Sequence, residues 1–332
     1  MIDQKNDVGP GPRRARPWLW AMLLCLVLAY PAIVRSNYAI DIGMLVLFTA
    51  FLGQSWNVAG GFAGQMSFGH TVFVGLGAYC SAILVVTYGV NPWAAWLAAT
   101  AVGALAGAAV GFLSFRFGLK GSYFALITLA FAEMFRVLAD SVPITRGGLG
   151  ILIPVKQGFG QLQFAGSTGF YYLSVALCLA GIAIAFWLKT GKFGARLEAI
   201  RENEAAAQAL GIDILREKIA CLALSGAMAA AGGSFYVQKY LYIDPNLAFG
   251  IGRSVEMLLV TMIGGAGTVF GPVLGAAVLG VLGEISRTLS HAQGLSLVAY
   301  GAILILIIAF LPDGLISVFA RRARGMRGAG HA

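Results

Sequence analysis

The sequence predicts an all-α integral membrane protein that crosses the bilayer with about ten hydrophobic helices. Three observations predict it: the composition, the repetition of apolar runs of spanning length, and a one-sided distribution of basic residues. Of the 332 residues, 59% are hydrophobic and 11% charged, with a mean hydropathy of +0.82. A soluble domain carries about 25% charged residues. The apolar runs approach the ~20 residues that cross a ~30 Å hydrocarbon slab. The net charge of +9 collects in short clusters beside apolar runs. No aromatic and basic face is present to hold a nucleic-acid strand, so the partner is the lipid bilayer, not nucleic acid.

The polar start, residues 1–17, ends in Arg13, Arg14 and Arg16 and reads as a cytoplasmic tail. The apolar run from Trp18 to Val34 continues through Tyr30 and Pro31 toward another span, without an A-x-A-like cleavage site, and reads as an uncleaved first helix. Further spans are expected over Ala39 to Val58, His70 to Tyr88, Trp93 to Phe115, Gly121 to Ala139, Tyr171 to Leu188, Lys218 to Gln238, Phe249 to Ile263, Pro272 to Ser286 and Ser296 to Leu311. Together, residues 18–315 form the transmembrane domain and residues 316–332 a basic tail with Arg321, Arg322, Arg324 and Arg327.

Alternating the spans puts Arg116 with Lys120, the stretch Lys189 to Glu217 and the tail on one side, which the positive-inside rule makes cytoplasmic. The short outer loops around Asn37, Asn91, Asp244 and His291 carry little positive charge. Both termini are therefore expected in the cytoplasm of a bacterial cell, the protein lying in its inner membrane. Of the two long polar segments, residues 140–170 are rich in Gly, Ser and Thr and read as an outer loop. Within residues 189–217, Arg196 to Leu210 is dense in helix formers and Gly211 stands where a stop is expected, predicting one helix on the cytoplasmic face.

Glycine placement is informative. Gly103, Gly107 and Gly111 recur at i+4, the small-xxx-small pattern of closely approaching helices. Two clusters interrupt apolar sequence: Gly60, Gly61, Gly64 and Gln65, running on to Ser67 and His70, and then Gly264, Gly265 and Gly267. Such breaks are tolerated only where protein covers the freed backbone or where they line a watery cavity. Paired breaks in two halves of a transporter often mark its translocation region, and these residues are pathway candidates, with tight loops as the alternative.

Glu133 with Arg136, Arg253 with Glu256, and Glu284 with Arg287 enter the spans three residues apart, on one helix face where each pair can neutralise itself. They are either structural pairs or pathway lining. A secondary carrier coupled to protons or ions usually needs membrane carboxylates without standing cationic partners, which weakens that reading. Cys25, Cys80, Cys178 and Cys221 and the histidines His70, His291 and His331 are scattered without metal-binding spacing, so no metal is expected. Lys189-Thr190-Gly191 has no S-x-x-K companion, and no catalytic constellation suggests an enzyme. There is no G-x-x-x-x-G-K-[ST] phosphate loop, so ATP-driven transport would need ATPase subunits from elsewhere.

Four ordered blocks carry a family resemblance: Gly60 to Tyr79 (GGFAGQMSFGHTVFVGLGAY), Lys120 to Arg136 (KGSYFALITLAFAEMFR), Gly194 to Asp213 (GARLEAIRENEAAAQALGID) and Met257 to Gly275 (MLLVTMIGGAGTVFGPVLG). They resemble the permease subunits of branched-chain amino-acid ABC transporters, most closely the LivM family. The resemblance implies the ABC importer permease fold, a second homologous permease completing the pathway, two cytoplasmic ATPases that bind the ATP and magnesium, and a periplasmic substrate-binding protein. No cofactor is then bound by this chain itself. Glu204-Ala205-Ala206 with Gly211 is similar to the EAA motif of importer permeases, with the glycine one residue later than usual. Arg196, Arg201 and Glu202 fall in the same coupling helix. Thr145 to Gly150 resembles the family's TGGxxGL segment with Arg146 inserted. Relatives with the same blocks import urea or short amides, an alternative substrate class.

Overall fold

The computed structural model describes residues 17–34, 36–156, 158–164, 166–289, 301 and 314–316. Twelve α-helices are ordered along the described chain: α1 Pro17–Ile33, α2 Asn37–Asn57, α3 Thr71–Val86, α4 Pro92–Arg116, α5 Ser122–Ser141, α6 Ser167–Thr190, α7 Lys192–Glu202, α8 Glu204–Ala209, α9 Ile214–Tyr240, α10 Pro245–Phe249, α11 Ile251–Gly264 and α12 Gly271–Leu289. Among the described residues, six helical stretches are long and apolar enough to cross a membrane: Asn37–Phe62, Pro92–Arg116, Ser122–Ser141, Ser167–Thr190, Ile214–Tyr240 and Pro245–Gly264. α3 is a shorter apolar helix of 16 residues, because the chain before it is broken and polar. The span expected over Ser296 to Leu311, the tail after it, the start of the chain, His291 and His331 lie outside the described residues.

Helix starts follow local chemistry. The Asn91 side chain accepts from the Trp93 amide at 2.9 Å, with Pro92 supplying the first turn of α4. Asp213 accepts from the Arg216 amide at 3.1 Å to start α9, and Asp244 from the Asn246 and Leu247 amides to start α10.

The glycine stripe of α4 does what its spacing predicts. A Cβ on Gly103 would overlap Ala230, and one on Gly107 would overlap the Leu222 carbonyl, so α4 and α9 meet backbone to backbone with Gly226 opposite. The larger core fills the space between α2, α3, α6 and α9 with Phe48, Phe51, Trp56, Phe73 and Phe235; the Phe48 and Phe235 rings stack at 5.1 Å.

Two polar segments depart from expectation. The helix expected over Arg196 to Leu210 is broken in two at Asn203. Asn203 leaves the helical conformation and its side chain accepts from the Ala206 amide at 3.1 Å, which starts α8 afresh. Gly211 has φ +83° just past α8, where a left-handed stop belongs. Residues 140–170, read as a loop, fold into short turns and a strand. β1 Ile151–Leu152 pairs antiparallel with β2 Tyr242–Ile243, Ile151 opposite Ile243. The pair buries Ile151, Ile153 and Ile243 against Tyr79 and Phe249. Arg146 adopts φ 60° between two such turns, and Thr145 Oγ1 donates to the Ala139 carbonyl at 2.6 Å.

Candidate functional site at the glycine breaks

α2 does not end at Asn57. Its backbone widens into a π-turn, Val58–Phe62, built on the VAGGF sequence, and then unwinds over residues 63–70 before α3 begins. π-turns concentrate at functional positions because they free backbone groups that must find other partners. The second break, after α11, is joined to this one by the polar side chains at the end of α2. Asn57 Nδ2 donates to the Thr268 carbonyl at 3.0 Å, and Asn57 Oδ1 accepts from the Gly267 amide at 2.8 Å. Gln54 Nε2 donates to the Val269 carbonyl at 2.6 Å. The two glycine clusters, distant in sequence, thus form one junction. A Cβ on Gly61 would overlap Asn57 Oδ1 and the Gly267 amide, so only glycine permits the approach.

The third party to the junction is α7. Arg201 Nη1 donates to the Gly61 carbonyl at 2.8 Å, and the same side chain lies against Gly64 and Gly267, whose φ values of +67° and +72° favour glycine. Its other arm reaches Glu202 at 3.2 Å. One guanidinium therefore bridges the exposed α7–α8 segment to both broken regions.

α8 has its own anchor. The Glu204 carboxylate is held between Lys218, which is 3% exposed, and Lys120 at 2.5 Å; the Lys218 ammonium also lies over the Phe115 ring, 5.2 Å from its centroid. Burial raises the Glu204 carboxyl pKa, but the hydrogen bonds and charges of Lys120 and Lys218 outweigh it and leave the group below the ordinary carboxylate range. Arg196 Nε donates to Glu217 at 2.6 Å, tying α7 to α9. Ala205, Ala206 and Gly211 are exposed, and Leu210 beside them is 80% exposed.

Within the core beyond the break, His70 is fully buried at the start of α3. Ser225 Oγ donates to the Ser55 carbonyl at 2.5 Å and so accepts from His70 Nε2 at 2.7 Å, which assigns the ring proton to Nε2. Ser67 carbonyl accepts from Trp56 Nε1 at 2.8 Å. Gln65 Oε1, Ser67 Oγ and His70 Nδ1 are buried without a hydrogen-bond partner among the described residues. Gly60 packs under the Trp56 ring, Gly264 lies against Gly271, and Gly265 (φ +121°) faces Thr268.

Of the intramembrane charges, Arg136 grips Glu133 through Nε at 2.9 and 3.0 Å and also reaches Asn246. Arg253 stands 3.5 Å from Glu256, and Tyr38 donates to Glu284 at 2.5 Å; the Arg287 side chain lies outside the described residues. The sequence reading missed Asp41 and Lys239, which pair at 2.8 Å between α2 and α9 and which, 198 positions apart, offered no spacing signal. It also missed Asn57 and Gln54, whose position in an apolar run just before Gly60 and Gly61 was the available clue. Among the described residues no group of three His, Cys, Asp or Glu could hold a metal.

Apolar spanning helices, unwound glycine breaks inside the bundle and a charged helical segment wired to those breaks define a multi-pass membrane permease. A family model described as the permease component of branched-chain amino-acid transport systems matches residues 38–308, and the chain belongs to that family. Its similarity runs to LivM permeases of high-affinity branched-chain amino-acid systems. The Salmonella typhimurium LivM is 30% identical over 89% of this chain and 73% of its own, and the Escherichia coli K12 LivM 29% over the same shares. The Salmonella typhimurium LivH permease is 23% identical over 80% of this chain and 90% of its own. No solved structure matches the chain.

Proposed function

We propose that this chain is the LivM-type permease of an ATP-driven importer of branched-chain amino acids, forming half of the translocation pathway with a second permease. It crosses the bacterial inner membrane about ten times with both termini cytoplasmic. α7 and α8 dock on a cytoplasmic ATPase, one of two that bind ATP and magnesium, and a periplasmic protein delivers substrate to the opposite face.

The observation that carries the reading is the Arg201 bridge, because it hydrogen-bonds a cytoplasmic segment to the backbone of one membrane break and packs it against the other. The exposed Ala205, Ala206, Leu210 and Gly211 supply a small-residue and apolar surface for a partner's cleft. The buried polar atoms left unpaired at Gln65, Ser67 and His70 fit a region that repacks between inward-open and outward-open states, since each unmet group costs about 1–3 kcal/mol in a static core.

The test is affinity purification of the tagged chain in mild detergent with mass spectrometry of bound proteins. A second permease and P-loop ATPases are expected, with the ATPases lost on Ala206→Arg or Gly211→Asp while membrane insertion persists. A chain that transports alone, driven by an ion gradient, would overturn the proposal.

A further inference from the structure

α2, α11 and α12 enclose a cleft of about 270 Å³ in the half of the bundle away from α7 and α8. Its floor is aliphatic, from Ile42, Leu45 and Val46 of α2 and Leu279 of α12. Its polar groups are the Thr49 hydroxyl and the charged side chains Arg253, Glu256 and Glu284. Arg253 and Glu256 are only 22% and 40% exposed, and their closest approach of 3.5 Å is too long for a strong hydrogen-bonded pair. The Arg253 guanidinium is held from behind by the Tyr236 ring at 4.9 Å, so its planar donors stay oriented while the carboxylate contact stays loose. Charges placed like this against lipid would be strongly unfavourable, whereas a cavity that takes a polar ligand makes them useful.

We propose that this cleft is a station for a zwitterionic amino acid. Arg253 receives the α-carboxylate, Glu256 the α-ammonium, and the aliphatic floor the side chain. The assignment deepens the transport reading above and rests on it for the substrate's class. The chemistry is complementary on all three counts: one fixed cation, one acidic group a short distance along the same helix face, and an apolar wall beside them. The size suits one small molecule, just below the roughly 300–1,000 Å³ of typical ligand sites. Gly283 leaves the mouth of the cleft open, since a Cβ there would meet nothing within 4 Å. A larger side chain at that position can therefore fill the cleft without disturbing the helix.

The experiment uses the assembled complex and a diazirine analogue of leucine as photoprobe, with labelled peptides mapped by mass spectrometry, and ATP-driven leucine uptake measured in parallel in proteoliposomes. Expected are labels on the α2 peptide around Ile42 to Thr49 and on the α12 peptide around Ala276 to Glu284, competed by excess leucine. Labelling and uptake should both fall at least tenfold in Gly283→Leu and in Glu256→Gln, with the second permease still bound. Uptake by the wild type with label elsewhere, or labelling unchanged in Gly283→Leu, would overturn the cleft. Loss of the second permease in Gly283→Leu would also overturn it, by making the surface a contact between permeases. Specific labelling in the cleft without ATP-driven uptake would uphold the cleft and overturn the transport reading instead.

Discussion

Arg201 acts through geometry as much as charge. Its Nη1 meets a carbonyl that the π-turn has released, while its stem packs on Gly64 and its Nη1 lies against Gly267, glycines with no side chain to push it away. Lysine keeps the charge but lacks the planar fork. Arg201→Lys should therefore retain assembly yet lower leucine-stimulated ATP hydrolysis severalfold, and Arg201→Ala should lower it further; equal rates in all three proteins would remove the bridge from the coupling path. Glu204 gives a pH prediction. Its folded value lies below 4.5, so its contribution to stability is present above that pH and fades as pH falls through the lowered value. The thermal midpoint of the purified wild type should exceed that of Glu204→Gln at pH 7, by an amount reflecting about 2–3 kcal/mol because Lys218 is left buried without its partner, and the gap should close in acid.

At the scale of elements, the contact between α4 and α9 depends on absent side chains. Gly107→Leu would drive a side chain into the Leu222 backbone and should cost about 3 kcal/mol or more, read as lost folded yield in detergent, whereas Gly252→Ala, in open space within α11, should be better tolerated. This contact was legible from the i+4 glycine spacing, as were most helix ranges, because apolar length is a local property. The pairing of the two glycine clusters was legible as a resemblance between them. Their joining through Asn57 was not, since nothing local shows which carbonyl 211 residues away an amide will find. The break at Asn203 was hidden for another reason: the surrounding alanines and glutamates favour helix so strongly that the competing cap leaves little trace in composition. The β1–β2 pair was invisible because two-residue strands carry no periodicity.

For the whole molecule, the described helices form two linked regions. Around the α4–α9 contact the packing is dense and glycine-lined, suited to a body that moves as a unit. Around α2, α11 and α12 charged groups, a cleft and the broken segments occur together. Asn57→Ala should weaken the connection between the two breaks by about 2–3 kcal/mol, from two hydrogen bonds lost across the junction and an unpaired amide at Gly267. Hydrogen exchange should then rise at residues 58–70 and 264–271 together; a rise at one break alone would show that they open independently.

The same junction bears on how the chain is made. Asn57 and Gln54 enter the membrane early, but the carbonyls and amide that satisfy them belong to residues 267–269. At roughly 5–20 residues per second, ribosomes need about ten to forty seconds to supply them. Throughout that interval an asparagine and a glutamine sit inside a largely apolar helix with only each other as native partner, so the newborn amino-terminal half needs shelter at the insertion machinery until its carboxy-terminal half arrives.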